Sequence, residues 1–236
     1  MSVIQVELQE WMGSDRSIAN AAWTSSFDKT KRDSRTEEQV YNIVHKLANE
    51  GHATPFESVV FRFWIRHPIF VDRQHMTHRI ASHNGLSGRY RTMPTDYYDL
   101  PDDVMTILDK ASNAANPCQN LEWNMFDAYY ASCETAVNNY KLSIEQLKSA
   151  EKSLLITNDE FKRAREILRG QLPTAGFTER TTIFNLRSFA NYQRLRNKSN
   201  AQYEIQHVAK LKLDAVEQAN ICPVAIAALK NNKWVI

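Results

Sequence analysis

The longest regular pattern in the chain runs from Leu121 to about Lys152. Met125, Tyr129, Cys133, Ala136, Tyr140, Ile144 and Leu147 recur there every three or four positions. That period belongs to a helix with one buried stripe, which must rest on a core or on a subunit interface. Other segments carry a different period. From Val3 to about Glu10, Ile4, Val6 and Leu8 alternate with Gln5, Glu7 and Gln9, the pattern of a half-buried strand. VVFRFWI, Val59 to Ile65, is a second strand of β-branched and aromatic residues. Ile18 to Trp23 reads as helix, and Asp33, Ser34 and Thr36 offer caps for a helix through Val40, Ile43, Val44 and Leu47. Pro68 starts a helix packed through Ile69, Val71 and Met76, and a final pair covers Ala201 to Glu217 and Pro223 to Leu229. Trp64 and Trp123 are expected in the core. There is no internal repeat.

A chain of 236 residues with these patterns can bury a real core, and residues 1–236 are expected to form a single domain. A net charge of +2 is too small for general nucleic-acid binding, so basic stretches are local features. Six glycines and seven prolines argue against a linker-rich chain. No apolar run reaches the roughly 18 residues of a membrane span, and MSVIQVELQEW lacks a signal-peptide pattern, so a cytoplasmic location is expected. Cys118, Cys133 and Cys222 are odd in number and without motif spacing, which argues against a disulfide scaffold or a zinc site.

The chemistry is concentrated in two one-sign segments. RQHMTHRIASHNGLSGRY, Arg73 to Tyr90, holds Arg73, Arg79, Arg89, His75, His78 and His83, with no carboxylate between Asp72 and Asp96. A solvated face would mix signs; this run, with Ser82, Ser87, Gly85 and Gly88, suggests an anion site. The bland reading is a basic surface loop. From Arg180 to Tyr203 there is again no acid until Glu204. On a helix Arg187, Asn191 and Arg194 would share one face, with Phe189, Tyr192 and Arg196 opposite, so Arg196 would serve a different pocket from Arg187 unless the helix ends before it. Arg169 sits upstream on what reads as a helix end. Two arginine- and amide-rich segments fit ligands with several phosphates, such as a nucleotide plus a dinucleotide cofactor.

Two sharper readings are weaker. His75 and His78, with His83, have metal-like spacing, but the surroundings are cationic and no cysteine accompanies them, so no metal is expected. Ser87 sits in a glycine-flanked turn like a nucleophile, yet no acid is near enough in sequence to complete a triad with His83, and a phosphate-binding donor is the better role.

THRIASHNGLSGRY resembles the signature of the flavin-dependent thymidylate synthases, RHRxxSxNExSxRY. GHATPFE (Gly51 to Glu57), RxxLP (Arg169 to Pro173), NxRSxxNxxxxR (Asn185 to Arg196) and AQYEIQ (Ala201 to Gln206) are similar to further segments of that family in order and spacing. Three positions depart from it. Thr77 stands for the signature's first Arg, Gly85 for its Glu, and Asn200 for a His before the AQ pair. Arg73 and Arg91 are the neighbouring cations that could replace the lost charge.

The resemblance implies an α+β fold, an antiparallel sheet packed with helices plus a long helical segment. It implies reductive methylation of dUMP to dTMP, a methyltransferase reaction using 5,10-methylenetetrahydrofolate as carbon donor and FAD reduced by NADPH. Arg196 would be the catalytic residue, stabilising charge on the N3, O2 and O4 edge of the uracil. Gln74, Ser87, Gly88, Arg89 and Arg169 would hold dUMP, with His52 on the substrate side. Thr54, His78, Arg79, Asn185, Arg187 and Asn191 would hold FAD. No cysteine falls in the two basic segments, consistent with a flavin doing work that the better-known thymidylate route gives to a cysteine. A homotetramer with shared active sites is implied as well. The runner-up is a dUMP hydroxymethylase or related C5-modifying enzyme, motivated by Thr77 and Gly85. A nucleotide- or RNA-binding protein without catalysis would rest on the aromatic and arginine interleaving at Phe184, Phe189, Tyr192 and Arg194.

Overall fold

A computed structural model describes residues 3–114 and 124–234; Cys118, Leu121 and Trp123 lie outside them. In chain order the elements are β1 (Gln5–Met12), α1 (Asp15–Trp23), α2 (Lys29–Asp33), α3 (Glu37–Glu50), β2 (Val60–Pro68), α4 (Ile69–His75) and β3 (Ser82–Gly85). They continue as α5 (Asp102–Ala114), α6 (Met125–Lys152), α7 (Asn158–Leu168), β4 (Phe177–Asn185), α8 (Leu186–Arg196), α9 (Tyr203–Gln218) and α10 (Pro223–Asn231). The chain separates into two compact units. One contains His67–Phe70 and Leu86–Thr178, the other Ile4–Arg66, Val71–Gly85 and Glu179–Ile236.

The second unit is built on a four-stranded sheet of order β1-β2-β4-β3, with β1 antiparallel to β2 and β3 antiparallel to β4. The α+β class follows. Strict alternation places Phe61, Phe63 and Ile65 of β2 in the core. Trp64 falls on the other face and is half-buried, so the expectation of a core residue fails by the same alternation that made the strand legible. β1 begins two residues later than its pattern suggested, and its register slips between Leu8 and Glu10, a bulge that carries it on to Met12.

Phe189 of α8 stacks on Phe63 at 5.8 Å and meets Phe61 edge-on at 5.2 Å. Ile205, Val208, Ala209 and Val216 of α9 are fully buried in the same unit. A capping box between Thr36 and Gln39 starts α3, which buries Val40, Val44 and Leu47. Gly51 ends it at φ 74°, a left-handed turn that glycine adopts without penalty. α4 follows β2 directly and buries Val71 and His75, one turn apart. Met76 lies just beyond the helix and is 50% exposed, so the packing role expected of it belongs to His75.

In the first unit the long helix is present as α6. Cys133, Tyr140 and Ile144 are buried as the stripe requires, together with Val137 in place of the expected Ala136. α5 and α7 pack on α6, and a capping box between Thr157 and Glu160 starts α7. Among the described residues no helix is long and apolar enough to cross a membrane.

Candidate active site

The signature segment leaves α4 at His75 and returns as β3, and Arg196, the last residue of α8, reaches it. Arg196 Nε donates to His78 Nε2 at 2.8 Å, and Nη2 donates to Thr77 Oγ1 at 2.9 Å. An arginine has only donors, so His78 Nε2 must be an unprotonated acceptor. Burial first, then the Arg196 charge and the nearby Lys212 and His83, lower the His78 pKa to about 4. At neutral pH the ring is therefore neutral. His83 lies opposite Thr182 in the β3–β4 register, and its ring bridges Thr182 Oγ1 and the His78 carbonyl, each at 3.2 Å. The three histidines thus have different partners, because His75 turns into the core.

There His75 meets Lys212 of α9, a residue with no exposed surface, through a hydrogen bond between its Nε2 and Nζ. The Lys212 amine lies 4.2 Å from the ring centre of Tyr192 and 4.7 Å from that of Phe184. Burial drives its pKa well below the ordinary lysine range. Nothing in the local sequence marks Lys212, which occupies an apolar position of an amphipathic helix.

The second departure from the signature also has a structural counterpart. Arg180 of β4 binds Asp72 through two hydrogen bonds, 2.6 Å from Nε and 2.7 Å from Nη2. Gly85 is its partner across β3–β4, and a Cβ there would stand 3.1 Å from Arg180 Nη2. The guanidinium lies where a side chain at position 85 would begin. Arg180 is therefore an ion-paired residue at 8% exposure and not a ligand cation of the basic segment.

The opposite face of α8 lines a cavity of about 600 Å³, with Asn185, Arg187, Ser188, Asn191 and Arg194 on one wall. Asn185 also caps the helix, its Oδ1 accepting from the Ser188 amide at 2.8 Å. Arg187 pairs with Glu57 at 2.7 Å. The two-faced reading of this helix holds: Arg187, Asn191 and Arg194 line the cavity, while Phe189 and Tyr192 are buried and Arg196 turns to His78. Lys233 and Trp234 close the cavity from the C-terminal side, a contribution that no periodicity in NNKW announces. Thr54 and His52 line a separate hollow of about 620 Å³ with Lys46 and Glu50. Gln74 is hydrogen-bonded to Gln202 of the AQYEIQ segment.

In the first unit, Ser87 begins a tight turn in which its Oγ accepts from the Arg89 amide at 3.3 Å. Gly88 is buried under Arg169, and a Cβ there would fall 2.9 Å from Arg169 Cδ, so the turn needs glycine for its close approach. Arg89 pairs with Glu166 at 2.7 Å, and Arg165 donates to the Arg89 carbonyl. Ser87, Gly88, Arg89 and Arg169 are thereby gathered in one place.

The family described as thymidylate synthase complementing protein matches residues 7–224. Proteins named flavin-dependent thymidylate synthase from Kosmotoga olearia and Pseudothermotoga lettingae are 34% and 35% identical to the chain. The alignments cover 96% and 92% of this chain and 90% and 86% of theirs. The chain belongs to this family. It is also similar to the crystal structure of a UMP/dUMP methylase, PolB, from Streptomyces cacaoi bound with 5-Br dUMP. That match has a TM-score of 0.71 at 25% identity and covers 99% of this chain and 97% of the other.

Membership in the flavin-dependent thymidylate synthase family implies a flavin. The cavity on α8 fits one: it offers guanidinium and amide donors for phosphates and the indole of Trp234 as an apolar wall. Of the six residues expected to hold FAD, Asn185, Arg187 and Asn191 line this cavity, Thr54 lines the other hollow, and Arg79 lines neither. His78 is engaged by Arg196. The two described cysteines are unsuited to attack. Cys133 and Cys222 are buried, and burial raises both thiols, that of Cys222 to about 12. Phe184, Phe189 and Tyr192 are buried too, which removes the stacking surface that an RNA-binding reading requires.

Proposed function

We propose that the protein converts dUMP to dTMP, with 5,10-methylenetetrahydrofolate as carbon donor and FAD reduced by NADPH as the hydride source. The reading rests above all on Arg196. Its guanidinium is anchored through Nε and Nη2 to neutral acceptors of the signature segment, and its remaining N–H groups are left to meet a ligand.

Uracil C5 is a weak carbon nucleophile, and its attack on a methylene carbon is helped by negative charge built up beforehand on the N3, O2 and O4 side of the ring. A pre-positioned guanidinium against that edge stabilises this charge. C5 then loses its proton as the methylene carbon separates from the tetrahydrofolate nitrogen, and a reduced flavin bound here would supply the hydride that completes the methyl group. Gln74, Ser87, Gly88, Arg89 and Arg169 orient dUMP, with His52 on the substrate side. Thr54, His78, Arg79, Asn185, Arg187 and Asn191 orient FAD. Arg187 and Asn191 supply phosphate donors, and Asn185 fixes the start of α8 beside them. The active form is a homotetramer with sites shared between subunits, which size-exclusion chromatography with light scattering tests directly.

The decisive experiment is anaerobic turnover of dUMP with FAD, NADPH and methylenetetrahydrofolate, followed by product mass. A dTMP product supports the reading, whereas a product heavier by one oxygen is the hydroxymethyl nucleotide and replaces it. UMP belongs in a parallel reaction, because the structurally similar PolB is named a UMP/dUMP methylase. In the same assay Arg196→Ala lowers turnover by about a hundredfold or more, the scale of losing one transition-state donor.

A further inference from the structure

The residue that departs from the signature at its first position is in direct contact with Arg196. Thr77 Oγ1 accepts from Arg196 Nη2 at 2.9 Å and donates to the Gln74 carbonyl at 2.7 Å. The hydroxyl proton is thereby committed to Gln74, which leaves an oxygen lone pair for the guanidinium. His78, the next residue, accepts a hydrogen bond from Nε at 2.8 Å. Two neighbouring acceptors hold the guanidinium along one edge, which fixes its plane as a single hydrogen bond cannot. An arginine at position 77 has no acceptor to offer and would repel Arg196.

We propose that Thr77 is a positioning residue for Arg196. Its hydroxyl, together with His78 Nε2, orients the guanidinium for the reaction, so the departure from the signature is a working part of this site. The inference rests on the role given to Arg196 above.

The test compares Thr77→Val, which keeps the shape and removes the acceptor, with Thr77→Ser, which keeps the acceptor. Both are assayed for kcat and KM for dUMP in the wild-type and Arg196→Lys backgrounds. Thr77→Val should lower kcat about tenfold with KM for dUMP changed less than about twofold, the scale of one hydrogen bond to a charged group. Thr77→Ser should stay near wild type. In the Arg196→Lys background Thr77→Val should cost nothing further, because a residue acting only through Arg196 has no separate effect to lose.

A wild-type kcat in Thr77→Val overturns the proposal. So does an equal loss in Thr77→Ser, or a tenfold loss that persists in the Arg196→Lys background. Thermal unfolding of each variant shows whether the fold is intact, and the serine variant carries the test if valine fails to fold. If Arg196→Ala turns over like wild type, the assignment of Arg196 falls and the inference with it. If Arg196→Ala is impaired and Thr77→Val is not, only the inference falls.

Discussion

Arg196 and His78 share a hydrogen bond in which only one partner carries charge: Nε donates to the neutral Nε2 at 2.8 Å. The bond exists because burial and the guanidinium keep the ring from protonating until about pH 4. In the unfolded chain the same histidine titrates near 6.5. Between those values the unfolded state binds more protons than the folded one, so acid lowers stability across this window, while above about 6.5 the contribution is constant. His78→Gln provides an acceptor that does not titrate. Urea midpoints between pH 7 and 4.5 should fall less steeply in that variant than in wild type, and parallel curves would remove His78 as the cause.

Lys212 titrates in the same sense but in a more alkaline window. Free lysine has a pKa of about 10.4, and burial holds the Lys212 amine well below that. From the depressed value up to about 10.4 the unfolded chain binds the extra proton, so raising the pH stabilises the folded state. Lys212→Met removes this slope. The wild-type midpoint should therefore gain on the variant's between pH 7 and pH 9.5. The absolute order at pH 7 depends also on the hydrogen bond that His75 loses, so the slope is the quantity to measure. A constant difference between the two would mean that Lys212 stays charged among its aromatic neighbours.

These two groups mark where sequence reading succeeded and where it stopped. Strand β2 and helices α3, α6, α8 and α9 were legible because their apolar residues repeat at the period of the element that buries them. β4 was not legible as a strand. Its inward positions Thr178, Arg180, Thr182 and Phe184 are mostly polar, satisfied by partners such as Asp72 and His83 that lie far away in sequence. β3 hid in the signature for the same reason, since Ser82–Gly85 has no apolar alternation at all. The two faces of α8 followed from helical spacing alone. The contact of Thr77 with Arg196 joins residues 119 positions apart, which no local pattern encodes. Trp234, at the cavity, faces Phe56 at 5.9 Å and is equally remote from it in sequence.

Gly85 is a position where the signature residue should now be harmful. A glutamate would place its Cβ 3.1–3.3 Å from the Arg180 guanidinium and set its carboxylate in competition with Asp72. Gly85→Glu should destabilise the protein by about 1–3 kcal/mol, the usual cost of overpacking. Asp72→Ala should cost about 3–5 kcal/mol, because it strands a largely buried guanidinium. In the double variant the new carboxylate can take over the pairing, so the two losses should sum to more than the measured total. Denaturant unfolding of the four proteins reads this coupling directly, and strict additivity would mean that Glu at position 85 does not reach Arg180.

Asn185 has a structural role and the binding role proposed for it above, and two substitutions separate them. Its Oδ1 caps α8 through the Ser188 amide, and its side chain lines the cavity assigned to the flavin. Asn185→Ala loses both and should cost about 1 kcal/mol of stability along with bound flavin. Asn185→Asp keeps an oxygen to accept from Ser188 and adds a favourable charge at a helix N-terminus, so stability should be retained. The same negative charge stands beside Arg187 and Asn191, where phosphate groups would lie, and repels them. The ratio of flavin absorbance to protein in the purified variant should therefore fall while its unfolding midpoint stays at or above wild type. Undiminished flavin in Asn185→Asp would place the phosphates away from this end of α8, and the cavity assignment would have to move with them.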